Sequence, residues 1–376
     1  VNGVRQEHLQ TPSGLARARA LAIPFEGLPG PFNAITDVTG VEVGYRTMVR
    51  GEGRLFVGHG PVRTGVTAIL PRGREDLITP VFAGCHTLNG TGELTGTLWI
   101  EELGRCDGPI TLTNTYACGT ARDASIKWMV QQRGITGAHV MPVAGETYDG
   151  WLNDISGFHV RERHVFEALD SARTGPIEEG SVGGGTGMIC YGFKGGSGTS
   201  SRLIAFGDAP FVVGVFVQAN FGRREQLTIA GVPVGRHLPL AAPHSEDEGS
   251  IIAIVATDMP LLPHQLKRVA RRVSLGIGRS GAISGYGSGD IFMAFSTANR
   301  EAFQREERPA MAHFVPNDQL NALFSAVVEA TDEAILNALV ANQTMVGVDM
   351  RTVAALPHAD VEALIRRFRP SDSSLA

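Results

Sequence analysis

The sequence predicts a layered α/β (α+β) sandwich folded as a single domain over residues 1–376. Three observations carry that expectation. Strand-like and helix-like segments interleave without the regular βαβα alternation of a doubly wound sheet. The run 211–218 is apolar on both faces, as a strand between two layers must be. The apolar run 251–256 needs upstream partners to bury both of its faces, so the acidic stretch before it does not read as a domain linker. A chain of 376 residues, 43% of them apolar, is long enough for such a core.

The elements follow in order. Residues 1–33 read as an irregular or partly helical arm, closed by Gly27, Pro29, Gly30 and Pro31. Residues 34–49 alternate with period two and predict a hairpin turning at Thr39-Gly40. A short strand is expected over 66–71. Residues 84–103 pass from a glycine-rich loop into an apolar segment, and 110–113 suggest a buried strand. The pattern from Gly119 to Gln132 is helical, with Gly134 as its stop. A strand over 138–143 leads into a polar loop, 144–154, holding Glu146, Tyr148 and Asp149. Residues 163–173 suggest a helix, and strands dominate 188–230. After the 251–256 strand, Pro263 opens a helix with Leu266, Val269, Ala270 and Val273 at helical spacing, ended by Gly276 and Gly278. A strand over 291–297, a long helix from Pro316-Asn317-Asp318 to about Asn342, and a last helix over 359–368 complete the chain.

Composition narrows the chemistry. The net charge is −5 with no basic block, which argues against nucleic acid as the partner. No apolar run reaches transmembrane length. The first residues lack a basic segment followed by an apolar one, so no secretory signal is read and a cytoplasmic location is expected. The four cysteines, Cys85, Cys106, Cys118 and Cys190, are far apart, with no CxxC pair, and read as buried thiols. There is no HExxH, no Walker A, no dinucleotide fingerprint and no G-x-S-x-G. No metal and no cofactor are therefore expected. The 47 glycines exceed the usual share of roughly 7%; the clusters at 183–187 and 192–198 miss phosphate-cradling spacings and read as tight turns. Of the eleven histidines only His86, in a glycine-rich stretch, invites inspection, and a structural role suits it better.

What remains is a junction. A polar, acidic segment ending at Gly249 runs straight into the 251–256 strand, with Ser250 at its entrance. Cutting the Gly249–Ser250 bond would give Ser250 a hydroxyl and a free α-amine, a nucleophile and its base on one residue. Other polar residues stand at strand ends: Asn220 closes VVGVFVQAN, Ser288-Gly289-Asp290 precedes a strand, and Tyr148 lies in the 144–154 loop. Taken singly, each reads as a turn or cap residue.

Taken together, LNGTGELTGTLWIEELG, PITLTNT, GETYDGWLND, VGGGTGMICYGFKGGSGTSSR, VQANFG, EGSIIAIVATDMPL and GYGSGDIFMAFST resemble, in order, the L-aminopeptidase/D-esterase-amidase family, which includes self-processing β-peptidyl aminopeptidases. The resemblance implies a four-layer αββα sandwich like that of N-terminal-nucleophile hydrolases, with different connectivity. It implies one self-cleavage, giving 1–249 and 250–376, which stay together and assemble into homo-oligomers. It implies Ser250 as nucleophile, Asn220 as oxyanion donor, Ser288 and Asp290 beside the nucleophile, and Tyr148 lining the pocket. Some members carry Glu where this chain has the shorter Asp290. Candidates for the substrate's ammonium are Asp290, Glu146 and Asp149, with Gly289 at the substrate. The activity implied is release of N-terminal residues from small peptides, amides and esters, with α-peptides favoured over β-peptides. The alternatives are a β-peptidyl aminopeptidase or an acyltransferase on the same fold; the junction serine speaks against the acyltransferase.

Overall fold

The structure, a computed structural model, describes residues 5–135, 140–207, 210–238, 249–303 and 309–369. After the one-turn helix α1 (Gln6–Leu9) come strands β1 (Glu42–Arg50), β2 (Val62–Leu70) and β3 (Val81–Gly90), helix α2 (Thr97–Leu103), β4 (Arg105–Cys106) and β5 (Ile110–Asn114). Helix α3 (Cys118–Arg133), β6 (Val143–Thr147) and α4 (Glu162–Asp170) follow. A small hairpin, β7 (Ile189–Cys190) and β8 (Phe193–Lys194), leads into the long β9 (Gly196–Ile204) and β10 (Phe211–Asn220). Beyond the junction lie β11 (Ser250–Thr257), α5 (Pro263–Arg279), β12 (Gly289–Ser296), α6 (Asn321–Val340), the hairpin β13 (Met345–Val346) and β14 (Thr352–Val353), and α7 (His358–Phe368).

Two sheets stack face to face. One has the order β1-β2-β5-β6, the other β4-β3-β12-β11-β10-β9. Three apolar layers explain the stacking. Val66, Ala68, Ala121, Trp128, Val165 and Leu169 join α3 and α4 to the outer face of the four-stranded sheet. Ile69, Leu112, Phe216, Ile252, Ile254 and Met293 fill the space between the sheets. Val215, Val217, Ala253, Val255, Leu266, Val269, Leu323 and Val327 join α5 and α6 to the outer face of the six-stranded sheet. The αββα sandwich expected from the resemblance is the fold found.

Register follows from these layers. Along β11, Ile251, Ala253 and Val255 belong to the helix side, and Ile252, Ile254 and Ala256 to the inter-sheet core. A one-residue slip would exchange the two sets. Each fully buried aliphatic side chain is worth about 1.5–3 kcal/mol, so the register is strongly held. By the same alternation Ser250 falls on the inter-sheet side, as does Asn220, which continues the set Phe216 and Gln218 on β10.

Several boundaries differ from the sequence reading. The alternation at 34–49 is not a hairpin: a 3-10 turn, Ile35–Asp37, precedes the single strand β1, whose antiparallel partner is β2. The Asp37 carboxylate accepts the Ala34 N–H at 3.1 Å and makes that turn. The glycine-rich stretch at 84–90 is not a loop but part of β3, held by its ladder to β12. Part of the expected 138–143 strand lies outside the described residues; the strand found, β6, occupies the first half of the supposed polar loop. Helix α5 runs through Gly276 and Gly278 to Arg279. Gly276 marks a close approach, since a Cβ there would lie 2.5 Å from the Thr331 Cβ on α6.

Candidate active site

The site is built where β10, β11 and β12 start or end together. Asn220, the last residue of β10, is the direct antiparallel partner of Ser250, the first of β11. Ser250 is only 6% exposed. β12 runs parallel to β11 with Ile251 opposite Asp290, so Gly289 lies beside Ser250, and the Gly289 N–H donates to Ser250 Oγ at 3.1 Å. The hydroxyl thus accepts one bond and keeps its proton to give. Gly249 packs against the Asn220 carbonyl: a Cβ at Gly249 would lie 2.1 Å from that oxygen. Only glycine fits at this position without displacing one strand or the other.

The Asn220 carboxamide is fixed at both ends. Its Oδ1 accepts the Ile189 N–H at 2.7 Å, and its Nδ2 donates to the Tyr148 carbonyl at 3.0 Å. A backbone donor and a backbone acceptor settle which end is nitrogen. One of the two Nδ2 hydrogens is used by Tyr148.

The Asp290 carboxylate is buried and clasped by two hydroxyls. Ser288 Oγ donates to Oδ1 at 2.7 Å, and Ser284 Oγ donates to Oδ2. The β12–β3 ladder shifts register between Asp290 and Ile291, the kind of irregularity that re-aims side chains beside a site.

Glu146 reaches the same place from the other sheet. A Cβ on Gly92 would lie 3.2 Å from both Glu146 Oε1 and Gly289 Cα, so Gly92 lies between that carboxylate and the Gly289 backbone. Glu146 Oε1 accepts the Glu93 N–H at 2.9 Å, and the Thr115 hydroxyl donates to Oε2. Burial pushes the Glu146 carboxyl above the usual range, partly offset by these two donors.

The structure does not bring every sequence candidate to Ser250 by its side chain. Tyr148 contributes its backbone carbonyl to Asn220, while its ring is half exposed and its hydroxyl lies over Gly150. Asp149 turns inward, accepts from Asn153 Nδ2 at 3.0 Å and is wholly buried. Burial pushes its carboxyl up to about 7. His86 stands in β3 opposite Phe292, with ring centroids 6.3 Å apart, as a packing residue.

With this geometry in place, the model of Peptidase family S58 matches residues 33–353. The chain belongs to peptidase family S58. Among curated relatives, "Beta-peptidyl aminopeptidase BapA" of Sphingosinicella microcystinivorans is 50% identical over 94% of this chain and 92% of its own, and that of Sphingosinicella xenopeptidilytica is 45% identical over the same shares. Among solved structures, the L-aminopeptidase D-Ala-esterase/amidase of Ochrobactrum anthropi, described as a variant of the Ntn hydrolase fold, superimposes with a TM-score of 0.89. It is 48% identical, over 94% of this chain and 98% of that one. A Burkholderia sp. β-aminopeptidase gives 0.85 at 45% identity, over 93% and 98% of the two chains. The resemblance drawn from the motifs is borne out, and the chain is a hydrolase of this family.

Four groups that hold these side chains escaped the sequence reading. Thr115 and the Glu93 N–H hold Glu146, Ser284 holds Asp290, and the Ile189 N–H orients Asn220. Thr115 and Ser284 lie within or beside the quoted family stretches, but nothing in their local pattern marks them. Among the described residues no group of three or more His, Cys, Asp or Glu is arranged to hold a metal ion, and no helix is long and apolar enough to cross a membrane.

Proposed function

We propose that this S58 hydrolase is a self-processing serine aminopeptidase and amidase, with Ser250 as nucleophile and its own α-amine as base. The observation that carries the reading is the pairing of Ser250, first residue of a buried central strand, with the oriented carboxamide of Asn220 and the Gly289 N–H.

Self-cleavage begins when Ser250 Oγ attacks the Gly249 carbonyl carbon. The C–N bond breaks, the Ser250 nitrogen leaves as an amine, and Gly249 is held as an ester on Oγ. Water hydrolyses that ester, leaving a Gly249 carboxylate. The new amine has a pKa near ~8, so it takes the hydroxyl proton close to neutral pH without a histidine. In turnover, Oγ attacks the substrate carbonyl, the oxyanion is met by Asn220 Nδ2, and the leaving amine carries away the proton. Water then releases the acyl group by the same route. Glu146 takes the substrate's ammonium, which confines the reaction to free N-termini. Asp290, clasped by Ser284 and Ser288, supplies negative charge beside the nucleophile.

The fold supports retention of both products. In the order β4-β3-β12-β11-β10-β9, the strands after the junction, β11 and β12, lie between β3 and β10 from before it. Glu333 on α6 also pairs with Arg19 at 2.6 Å and with Arg202 at 2.8 Å, both from the upstream piece.

The substrate class is tested with p-nitroanilides of α- and β-amino acids, each with a free or acetylated amine. Release from the free α- and β-compounds is compared directly, and the acetylated ones are expected to be inert. The β-peptidyl reading is favoured by the two Sphingosinicella relatives, and a preference for the β-compounds decides for it. Turnover of acetylated compounds at comparable rates would remove the aminopeptidase reading.

A further inference from the structure

We infer that Lys194 is a positioning residue for the oxyanion donor, acting on Asn220 through the single peptide group that joins Met188 to Ile189. Lys194 is wholly buried on β8, and no ion pair is made by it among the described residues. Its Nζ donates to the Met188 carbonyl at 2.9 Å and to the Gly195 carbonyl at 2.7 Å. The N–H of the same peptide, on Ile189, donates to Asn220 Oδ1 at 2.7 Å. The carboxamide so oriented gives one Nδ2 hydrogen to Tyr148 O, and in the proposed mechanism the other meets the reacting carbonyl. An amine, a peptide and a carboxamide therefore form one chain of donors ending at the place where charge develops. The inference rests on reading Asn220 as that donor.

The chemistry of the chain favours the role. A peptide is a conjugated plane, so a donor on its oxygen strengthens its N–H as a donor. The 2.7 Å Ile189–Asn220 contact is at the short end for N–H···O bonds, as a polarised donor gives. The Asn220 carboxamide is conjugated in the same way, so a strong bond at Oδ1 strengthens Nδ2. Burial pushes the amine down to about 7, and a neutral amine still has two hydrogens for two carbonyls. The relay therefore does not depend on the amine's charge.

Structural anchoring alone does not account for the amine. The Lys194 N–H already binds the Ala354 carbonyl at 2.8 Å, and Asn342 Nδ2 binds the Lys194 and Gly195 carbonyls at 3.1 and 3.0 Å. These bonds hold the hairpin whatever the side chain. Methionine would fill a similar volume without the cost of burying an amine.

The test is a double-mutant cycle between Lys194→Met and Asn220→Ala, with kcat taken per processed molecule. If processing stalls, the rate of self-cleavage is read instead. Lys194→Met is expected to lower kcat about tenfold with KM nearly unchanged, and to cause no further loss in the Asn220→Ala background. An unchanged kcat, or a loss that multiplies fully with that of Asn220→Ala, overturns the proposal and leaves Asn220 as it stands. An Asn220→Ala enzyme with unchanged kcat instead overturns the oxyanion reading itself. Lys194→Gln, which keeps one shorter donor, is made in parallel and is expected to be intermediate. Failure of both Lys194 variants to fold would assign the residue to folding and overturn the proposal.

Discussion

Asn220 and Ser250 face one another across the β10–β11 ladder, on the side of the six-stranded sheet that packs against the other sheet. The register that places them so is fixed by buried aliphatic residues farther along both strands. The geometry of this candidate site is a consequence of core packing.

Replacing Asn220 by Ala removes the carboxamide donor. The loss of one such donor typically costs about 10²–10³ in rate. Asn220→Ala is expected to lower kcat by that factor while KM moves little, because the bond strengthens only as the oxyanion forms. Steady-state kinetics on processed enzyme checks this; a rise in KM with kcat unchanged would assign Asn220 to ground-state binding.

Gly249 should matter to processing and to nothing after it. A Cβ there would lie 2.1 Å from the Asn220 carbonyl, so Gly249→Ala must shift the scissile peptide. Self-cleavage is expected to slow at least about tenfold, since misplacement of about 1 Å costs on the order of 10²-fold. Molecules that do cleave should turn over substrate normally, because residue 249 has then left the nucleophile. A time course on gels, with activity per cleaved molecule, separates the two effects.

Glu146→Gln keeps the shape of the side chain and removes the charge. A hydrogen bond to a charged group is worth about 1.5–3 kcal/mol, so KM for free-amine substrates should rise at least about tenfold. The change should appear in KM more than in kcat. An unaltered KM would move the ammonium site to Asp290.

Asp149 makes stability depend on pH. Burial raises its carboxyl from 3.8 to about 7, and among the described residues its Oδ2 has no hydrogen-bond partner. The folded state thus holds a proton that the unfolded chain releases above its own pKa. Stability from this group is full below pH ~4 and falls as pH rises to about 7, by up to about 4 kcal/mol. Asp149→Asn should therefore stabilise the protein more at pH 8 than at pH 5, as read by thermal or urea unfolding. An equal effect at both values would show that the carboxyl ionises freely.

Much of the fold was legible because burial imposes a period. The helix α3 with its Gly134 stop, the doubly apolar β10 and the junction strand β11 all declare themselves in this way; Gly134 takes φ +59° and donates to Val130 O at 3.0 Å. β3 did not, because its glycines and polar residues are held by a ladder to β12, some 200 residues away in sequence. Gly276 reads locally as a helix stop, yet its role is a close approach to Thr331 on α6. The site divides along the same line. Ser250, Asn220, Ser288 and Asp290 stand at strand ends where polar residues interrupt apolar runs, so they could be singled out. Thr115, Ser284 and Lys194 act through contacts that no local pattern encodes.

The most direct measurement is the intact mass of the purified protein with N-terminal sequencing of its fragments, on the wild type and on Ser250→Ala. The wild type is predicted to yield a fragment beginning Ser250-Ile251-Ile252, and Ser250→Ala to remain whole and inactive. A wild-type chain that stays whole yet hydrolyses an aminoacyl amide would contradict the free-amine mechanism.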